Sequence, residues 1–563
     1  MRTLAALLLL TGAAHADPLP VALPVDRPAD LPFDVPDMHE EAEAAGLVHH
    51  YGGPWEYFVG GGVASFDCDG DRRPDVFLAG GAGPSALFVN RARVGGPLRF
   101  ERRAIDVPRR DLERVTGAWP LDVDSDGHTD LVLARVGGNV VLRGEGKCRF
   151  SKANRRWSVP ADRAWSTAFS AVWERDGRYP TLAIGNYVDR TAPGSPFGTC
   201  EANVLLRPRT GSDGGPDYSD ARKLEPGFCA LSVLFTDWNG TGEPALRVTN
   251  DRQYHRGGYE QMWELPADRP ARELRPGDGW RRFAIWGMGI AEADLDNDGR
   301  PEYALTSMGD TKVQALAPEG LDEDRPVYED RAGALGLTAH RPYAGGDIRP
   351  STGWHAQFAD VNNDARLDLV VTKGNVEAMG DFAAFDPDNM LLGGPDGRFI
   401  EVGERAGLAR PTRGRGAVVD DFNMDGMLDM LVVNRGANVS LFRNRGERVP
   451  WGHRPLGNWL QVELDQMPPP PAPQGAVANR GAVGARIVVR TGNHVQTRTI
   501  RVGGGHASGQ IGWTHFGLGA AERALVRVRW PDGEWSHEVR VHAGNFVRVR
   551  RGAANASYWY PID

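Results

Sequence analysis

Apolar positions along this chain come in short runs rather than long helical stripes. Seven such runs, DVFLAG, DLVLAR, TLAIGN, ALRVTN, EYALTS, DLVVTK and DMLVVN, are spread over residues 75–434. Small and apolar residues precede them, as in GGGVASF and MGIAEAD. Short apolar runs bounded by turn residues read as buried strands. Gly 71 and Pro 40 punctuate the whole chain of 563 residues, which favours many tight turns. No later run reaches the ~18 apolar residues of a membrane-spanning helix, so no membrane span is expected.

Between each pair of runs lies a polar loop, and five loops share one pattern. FDCDGDRRPD supplies Asp67, Asp69, Asp71 and Asp75, and LDVDSDGHTD supplies Asp122, Asp124, Asp126 and Asp130. ADLDNDGRPE supplies Asp294, Asp296, Asp298 and Glu302. ADVNNDARLD supplies Asp360, Asn362, Asp364 and Asp368, and DDFNMDGMLD supplies Asp421, Asn423, Asp425 and Asp429. Each places side-chain oxygens at positions 1, 3, 5 and 9. Two degenerate copies fill the gaps. One keeps Asp237, Asn239 and Thr241 with Ala245 in ninth place; the other keeps only Glu174 and Asp176. First positions run from 67 to 421 in six steps that average 59 residues. Seven strand-rich units of this length point to seven four-stranded blades.

Alternating oxygen ligands suit a hard cation. The carbonyl at position 7 adds one more oxygen in each full loop, from Arg73, His128, Arg300, Arg366 and Met427. A carboxylate at position 9 can bind through both oxygens, which completes the six to eight that calcium takes. Position 12 of the full copies is Leu78, Leu133, Leu305, Val371 or Val432, not the Glu of an EF-hand, so that reading is rejected. About five calcium sites are expected, with nothing bound at the two broken copies.

These loops resemble the FG-GAP/VCBS repeats of integrin α-chain propellers. The resemblance covers roughly residues 60–445 and implies a seven-bladed β-propeller with calcium between the first two strands of a blade. In that frame FDV at 33–35, upstream of an AAGL segment, is expected to pair with the outer edge of blade seven near SLFRNR. Four Cys allow three pairings. The blade frame puts Cys68 and Cys148 on one side of the ring and Cys200 and Cys229 on the other, which favours Cys68–Cys148 and Cys200–Cys229.

Beyond the propeller, GARIVVR, TRTIRV, ALVRVRW and FVRVRR alternate Arg with apolar residues, as half-exposed strands do. Residues 480–552 hold 12 Arg, no Lys and 4 acids, a charge of +8 against −17 for the rest. The motifs NRGAVGARIVV, GGGHASGQIGWTHFGLG and VRWPDG resemble the UnbV/ASPIC domain. A propeller followed by this domain is similar to the cartilage acidic protein family and its exported bacterial relatives. The expected fold is therefore all-β: a propeller over 33–450, a small β-sandwich over 451–552 and a tail over 553–563. A proline-rich segment at 17–32 precedes them.

Residues 1–16 read as a secretory signal, with Arg2, an apolar run at 4–10 and Ala14-His15-Ala16 as the cleavage site. Export, periplasmic or secreted, follows. Little chemistry competes with the calcium reading. VFLAGGAGPSA mimics a dinucleotide loop but no helix follows, and His39, His49 and His50 lack metal-protease spacing. No G-x-S-x-G is found. The expected function is a calcium-stabilised adhesion or ligand-binding module for an unidentified protein or glycan, without catalysis. A lectin or polysaccharide-acting enzyme using the face opposite the loops is the alternative. No nucleic-acid partner is expected, and the oligomeric state is open.

Overall fold

Strands begin where the acidic loops end. In the computed structural model, which describes residues 31–562 apart from 162, 175–176, 256, 267–268, 339–351, 377–385 and 468–477, each apolar run after a loop is a strand. The leader at 1–16, residues 17–30 and Asp176 lie outside the described residues. Asp75, Asp130, Glu302, Asp368 and Asp429, the ninth-position acids, are each the first residue of their strand. Each such strand pairs antiparallel with the run before its loop.

The chain is all-β, and its helices among the described residues are six residues or shorter. Among the described residues seven sheets follow one another, four of them with four strands and three with five. Their first strands are Val63–Phe66, Glu113–Leu121, Ser166–Val172, Ala230–Thr236, Gly287–Ala293, Gly353–Ala359 and Gly414–Asp420. These first strands touch their neighbours in chain order, and Gly414–Asp420 also touches Val63–Phe66. Stacked faces bury Val, Leu, Phe and Trp side chains between successive sheets.

The last sheet takes its outer strand from the front of the chain. Pro36–Glu40 pairs antiparallel with Ser440–Val449, Met38 opposite Asn444 and Glu40 opposite Phe442. The expected segment at 33–35 is thus off by three residues, and the reason is local. In Phe399–Glu401 and Tyr328–Asp330 the outer strand ends six residues before a left-handed glycine, Gly407 or Gly336, that closes a single helical turn. Gly46 at φ +80 plays that part here, which ends the strand at Glu40. Pro36 opens it, where a missing N–H costs no ladder bond. Phe33 and Val35 pack instead against the Met38 and Leu428 cluster.

Both disulfides join the expected partners, Cys68–Cys148 and Cys200–Cys229. The C-terminal sandwich consists of two four-stranded sheets around Leu460, Ile487, Phe516, Val526 and Val547. Its edges differ from the expected ones. Ser557–Trp559, inside the segment set apart as a tail, pairs with Asn545–Arg550. Gly452–Arg454 folds back on Ser440–Val449, so this hairpin belongs with the seventh sheet.

One feature had no sequence forecast. Residues 502–511 leave the sandwich and run between the first strands of all seven sheets. Val502 O accepts from Ala171, Gly504 donates to Val233 O, and Gly505 and Ile290 exchange backbone bonds. His506 N donates to His355 Nδ1, and Ala507 O accepts from Ala118. Ser508 Oγ accepts from Val63, and Gln510 donates to Val419 O.

Burial holds the histidines of this region neutral, with His355 pushed down to about 4 and His506 to about 3. The unfolded chain, with its ordinary histidine near 6.5, takes up these protons first. Their contribution is therefore intact above about pH 6.5 and is lost as pH falls towards 4, at roughly 1.4 kcal/mol per pH unit for each. With calcium saturating, the urea midpoint is expected to fall between pH 7.5 and pH 5. A His506→Gln variant that keeps its fold should show a shallower fall.

Candidate metal centres

Each full loop turns tightly between two strands, and its own amides hold the first carboxylate. Asp67 accepts from Gly70 at 2.7 Å and Arg72 at 2.8 Å, and Asp122 accepts from Asp126 at 3.1 Å and Gly127 at 2.9 Å. Asp294, Asp360 and Asp421 are held in the same way. The fifth position accepts from the amide of the seventh: Arg73 to Asp71, His128 to Asp126, Arg300 to Asp298, Arg366 to Asp364 and Met427 to Asp425. These bonds fold the loop so that positions 1, 3 and 5 share one side.

The ninth position does something that spacing alone did not reveal. One oxygen of Asp75 accepts from Cys68 at 2.9 Å and the other from Asn90 at 2.7 Å, in the neighbouring strand. Asp130 ties Val123 to Gly144, Asp368 ties Val361 to Gly393, and Asp429 ties Phe422 to Asn444. Glu302 accepts from Leu295. This acid therefore clamps the loop to the sheet, and contact with an ion would use the lone pairs left over.

The expected ligands converge in three loops. Oxygens of Asp67, Asp69 and Asp71, of Asp122, Asp124 and Asp130, and of Asp294, Asp296 and Glu302 lie within 4.8 Å of one another in each group. In the sixth and seventh loops Asn362 and Asn423 stand in third place and donate to Asp364 and Asp425. Buried oxygens of Asp124, Asp294 and Asn423 lack a hydrogen-bond partner.

Electrostatics tell the same story. Burial first, and neighbouring carboxylates with it, push Asp71 up to about 6, Asp122 to about 7, and Glu302 and Asp360 to about 8. Asp75, Asp130, Asp368, Asp421 and Asp429 are driven well above the usual range for the same reasons. Crowded buried carboxylates of this kind need either protons or a cation. A donor set of oxygens alone fits a hard divalent ion.

Arginine meets the degenerate loops and full ones alike: Arg143 pairs with Asp124 at 2.6 Å and with Asp126, Arg91 with Asp69 at 3.2 Å, and Arg366 with Asp364 at 2.5 Å. Arg207 donates to Glu174 at 2.8 Å, which also accepts from Thr181. Arg486 of the sandwich bonds the carbonyls of Asp237 at 3.3 Å and Gly299 at 2.5 Å, and its guanidinium lies 3.7 Å from the Asp237 carboxylate. Trp513 donates to Arg72 O and His494 to Ala365 O, so the sandwich rests on several loops at once. Arg486→Met is expected to cost about 2 kcal/mol, the worth of charged hydrogen bonds. The loss, read from urea midpoints, should be equal with calcium and with chelator. A loss seen only in calcium would mean that Arg486 acts through the full loop holding Gly299 rather than through Asp237.

Sequence reasoning missed the arginines, because Arg207 and Arg486 sit far from the loops in sequence. His39 and His50 form no metal cluster among the described residues. His49 is buried and bonds Ala79 O at 2.8 Å.

Residues 475–556 match the family described as ASPIC and UnbV. The chain is 25% identical over 489 residues to cartilage acidic protein 1 of Homo sapiens, covering 74% of this chain and 69% of that one. For the Mus musculus protein the figures are 24% over 490 residues, 74% and 70%. A solved lectin from Agrocybe aegerita that recognises non-reducing terminal N-acetylglucosamine aligns at 17% identity with a TM-score of 0.37, over 68% of this chain and 93% of that one. The similarity to the cartilage acidic protein family read from the C-terminal motifs is thus supported.

Proposed function

We propose that this chain is an exported calcium-binding module, periplasmic or secreted, whose seven sheets close as a propeller and present a face for ligand adhesion. The observation that carries the reading is the repeated loop of crowded, buried carboxylates with raised pKa; three of these loops keep an unpartnered oxygen, on Asp124, Asp294 or Asn423. Asp67, Asp69, Asp71 and Asp75 with the Arg73 carbonyl would hold one ion, and the matching positions of the other full loops would hold the rest. The ion neutralises each cluster and fixes the turn between two strands. Two disulfides suit an oxidising compartment. No helix among the described residues is long and apolar enough to cross a membrane.

The sandwich covers the loop side, which leaves the opposite side for a ligand. There Phe197 is 67% exposed and Trp286 41% exposed. Phe197 packs edge-on against Tyr254, which accepts a bond from Trp55. Solvent-facing aromatic rings favour a sugar or peptide ligand over a charged small molecule. The lectin or polysaccharide-acting alternative draws on the same rings. A glycan array on the purified protein, followed by an assay for reducing-end release on any hit, separates a sugar-binding module, an enzyme and neither. Binding without release is expected, and it should be lost in a Phe197→Ala, Trp286→Ala variant. Release of reducing ends would make the protein an enzyme.

A further inference from the structure

The sandwich sheet made of His494–Thr499, Arg486–Thr491, Arg523–Arg529 and Val539–His542 has one face in the core and one outside. Alternation sets the outer face. Ile487, Val489, Val526, Val528, Val539 and Val541 point inward, while Arg490, Arg523, Arg527, Arg540 and His542 are exposed. The register groups them. Arg490 lies opposite Leu525, which lies opposite Arg540, and Arg523 lies opposite His542. The end of the face that carries Arg486 and Arg529 is used up on the propeller loops, through Gly299 O and Gly240 O.

Charge on the rest of the face is unbalanced. Glu538 pairs with Arg490 at 3.0 Å. Among the described residues Arg523, Arg527 and Arg540 have no ion-pair partner. Trp535, 43% exposed, lies under the Arg527 guanidinium at 4.5 Å and holds it flat. A protein of net charge −9 keeps this patch basic although its body is acidic. Solubility alone would be served by either sign of charge.

We propose that this outer face binds a polyanionic polysaccharide, one bearing carboxylates or sulfates. Planar guanidinium groups match those oxyanions two hydrogen bonds at a time. An extended, gently twisted sheet face accepts a chain laid across it, where a pocket would select a single residue. Trp535 offers its ring to the C–H side of a sugar. The disulfides speak for an oxidising compartment, where polysaccharide rather than nucleic acid is the common polyanion. This surface is separate from the aromatic side proposed above, and its binding does not depend on that reading.

The test uses the full chain with calcium present and immobilised polygalacturonate and dextran sulfate as probes, with neutral dextran as the blank. Binding to one or both charged polymers is expected, weakening as salt rises from roughly 50 mM to roughly 300 mM. Replacing Arg523, Arg527 and Arg540 by Gln should weaken it about tenfold while the melting temperature holds, since all three are solvent-exposed. Trp535→Ala should weaken it by a smaller factor without changing the salt dependence. The proposal is overturned by wild-type retention no greater than on neutral dextran. Equal binding by the triple variant also overturns it, because calcium bridging to the acidic body would then explain retention. So does tighter binding to duplex DNA or to phosphatidylserine vesicles than to either polysaccharide.

Discussion

Replacing Gly505 by valine is expected to destabilise the protein by about 4 kcal/mol, read as a lower urea midpoint with calcium present. Gly505 has φ +55, and a Cβ built there would lie 2.3 Å from the His355 ring. His355 cannot retreat, because it is buried and its Nδ1 accepts from His506. Left-handed strain and overpacking therefore add at one atom, each worth about 1–3 kcal/mol. The backbone bonds between Gly505 and Ile290 would be lost with them. A loss below about 1 kcal/mol would mean that residues 502–511 do not occupy the space between the first strands. Gly512, at φ +126 with open space around it, is the control. Gly512→Ala should carry backbone strain alone and cost less.

Chelation should have a still larger effect. Without a cation each full loop holds three or four carboxylates in or near the protein interior, where charge repulsion and burial oppose folding together. Each site that binds calcium at a hundred times its Kd adds about 2.7 kcal/mol. Melting is expected to move sharply downward in EDTA and to recover with calcium. Sites of this extracellular kind commonly need about 10⁻⁴–10⁻³ M. The ligands must be ionised to bind, so apparent affinity should fall as pH drops from 8 through 6, the range over which Glu302, Asp360, Asp122 and Asp71 take up protons. Asp130→Ala should cost more than a change at position 3 or 5 of its loop, because it removes both an ion ligand and the clamp between Val123 and Gly144. A melting curve indifferent to EDTA would sink the calcium reading.

How far the sequence could be read depended on whether a residue's role repeats. The five acidic loops were legible because the same oxygens recur at the same spacing, and their strands followed from the apolar runs beside them. Asp75 and its equivalents were assigned to an ion alone, since spacing shows a carboxylate but not the amides it meets across the sheet. Pro36–Glu40 was placed three residues early because the analogy with the other AGL segments gave the strand but not its bounds. Burial of Met38 and the turn ending at Gly46 set those bounds. GGGHASGQ showed no periodicity, and its likeness to the UnbV/ASPIC motif did not say where the segment lies. Its partners come from all seven sheets, and such a contact set is written in no single stretch of sequence.

The central claim is that the full loops bind calcium and the degenerate ones do not. Equilibrium dialysis against about 5 mM calcium, followed by elemental analysis, tests it directly. The account predicts about five ions per chain, one fewer in Asp130→Ala, and no change in Arg207→Met. One ion or none, or a count that Asp130→Ala leaves unchanged, would contradict it.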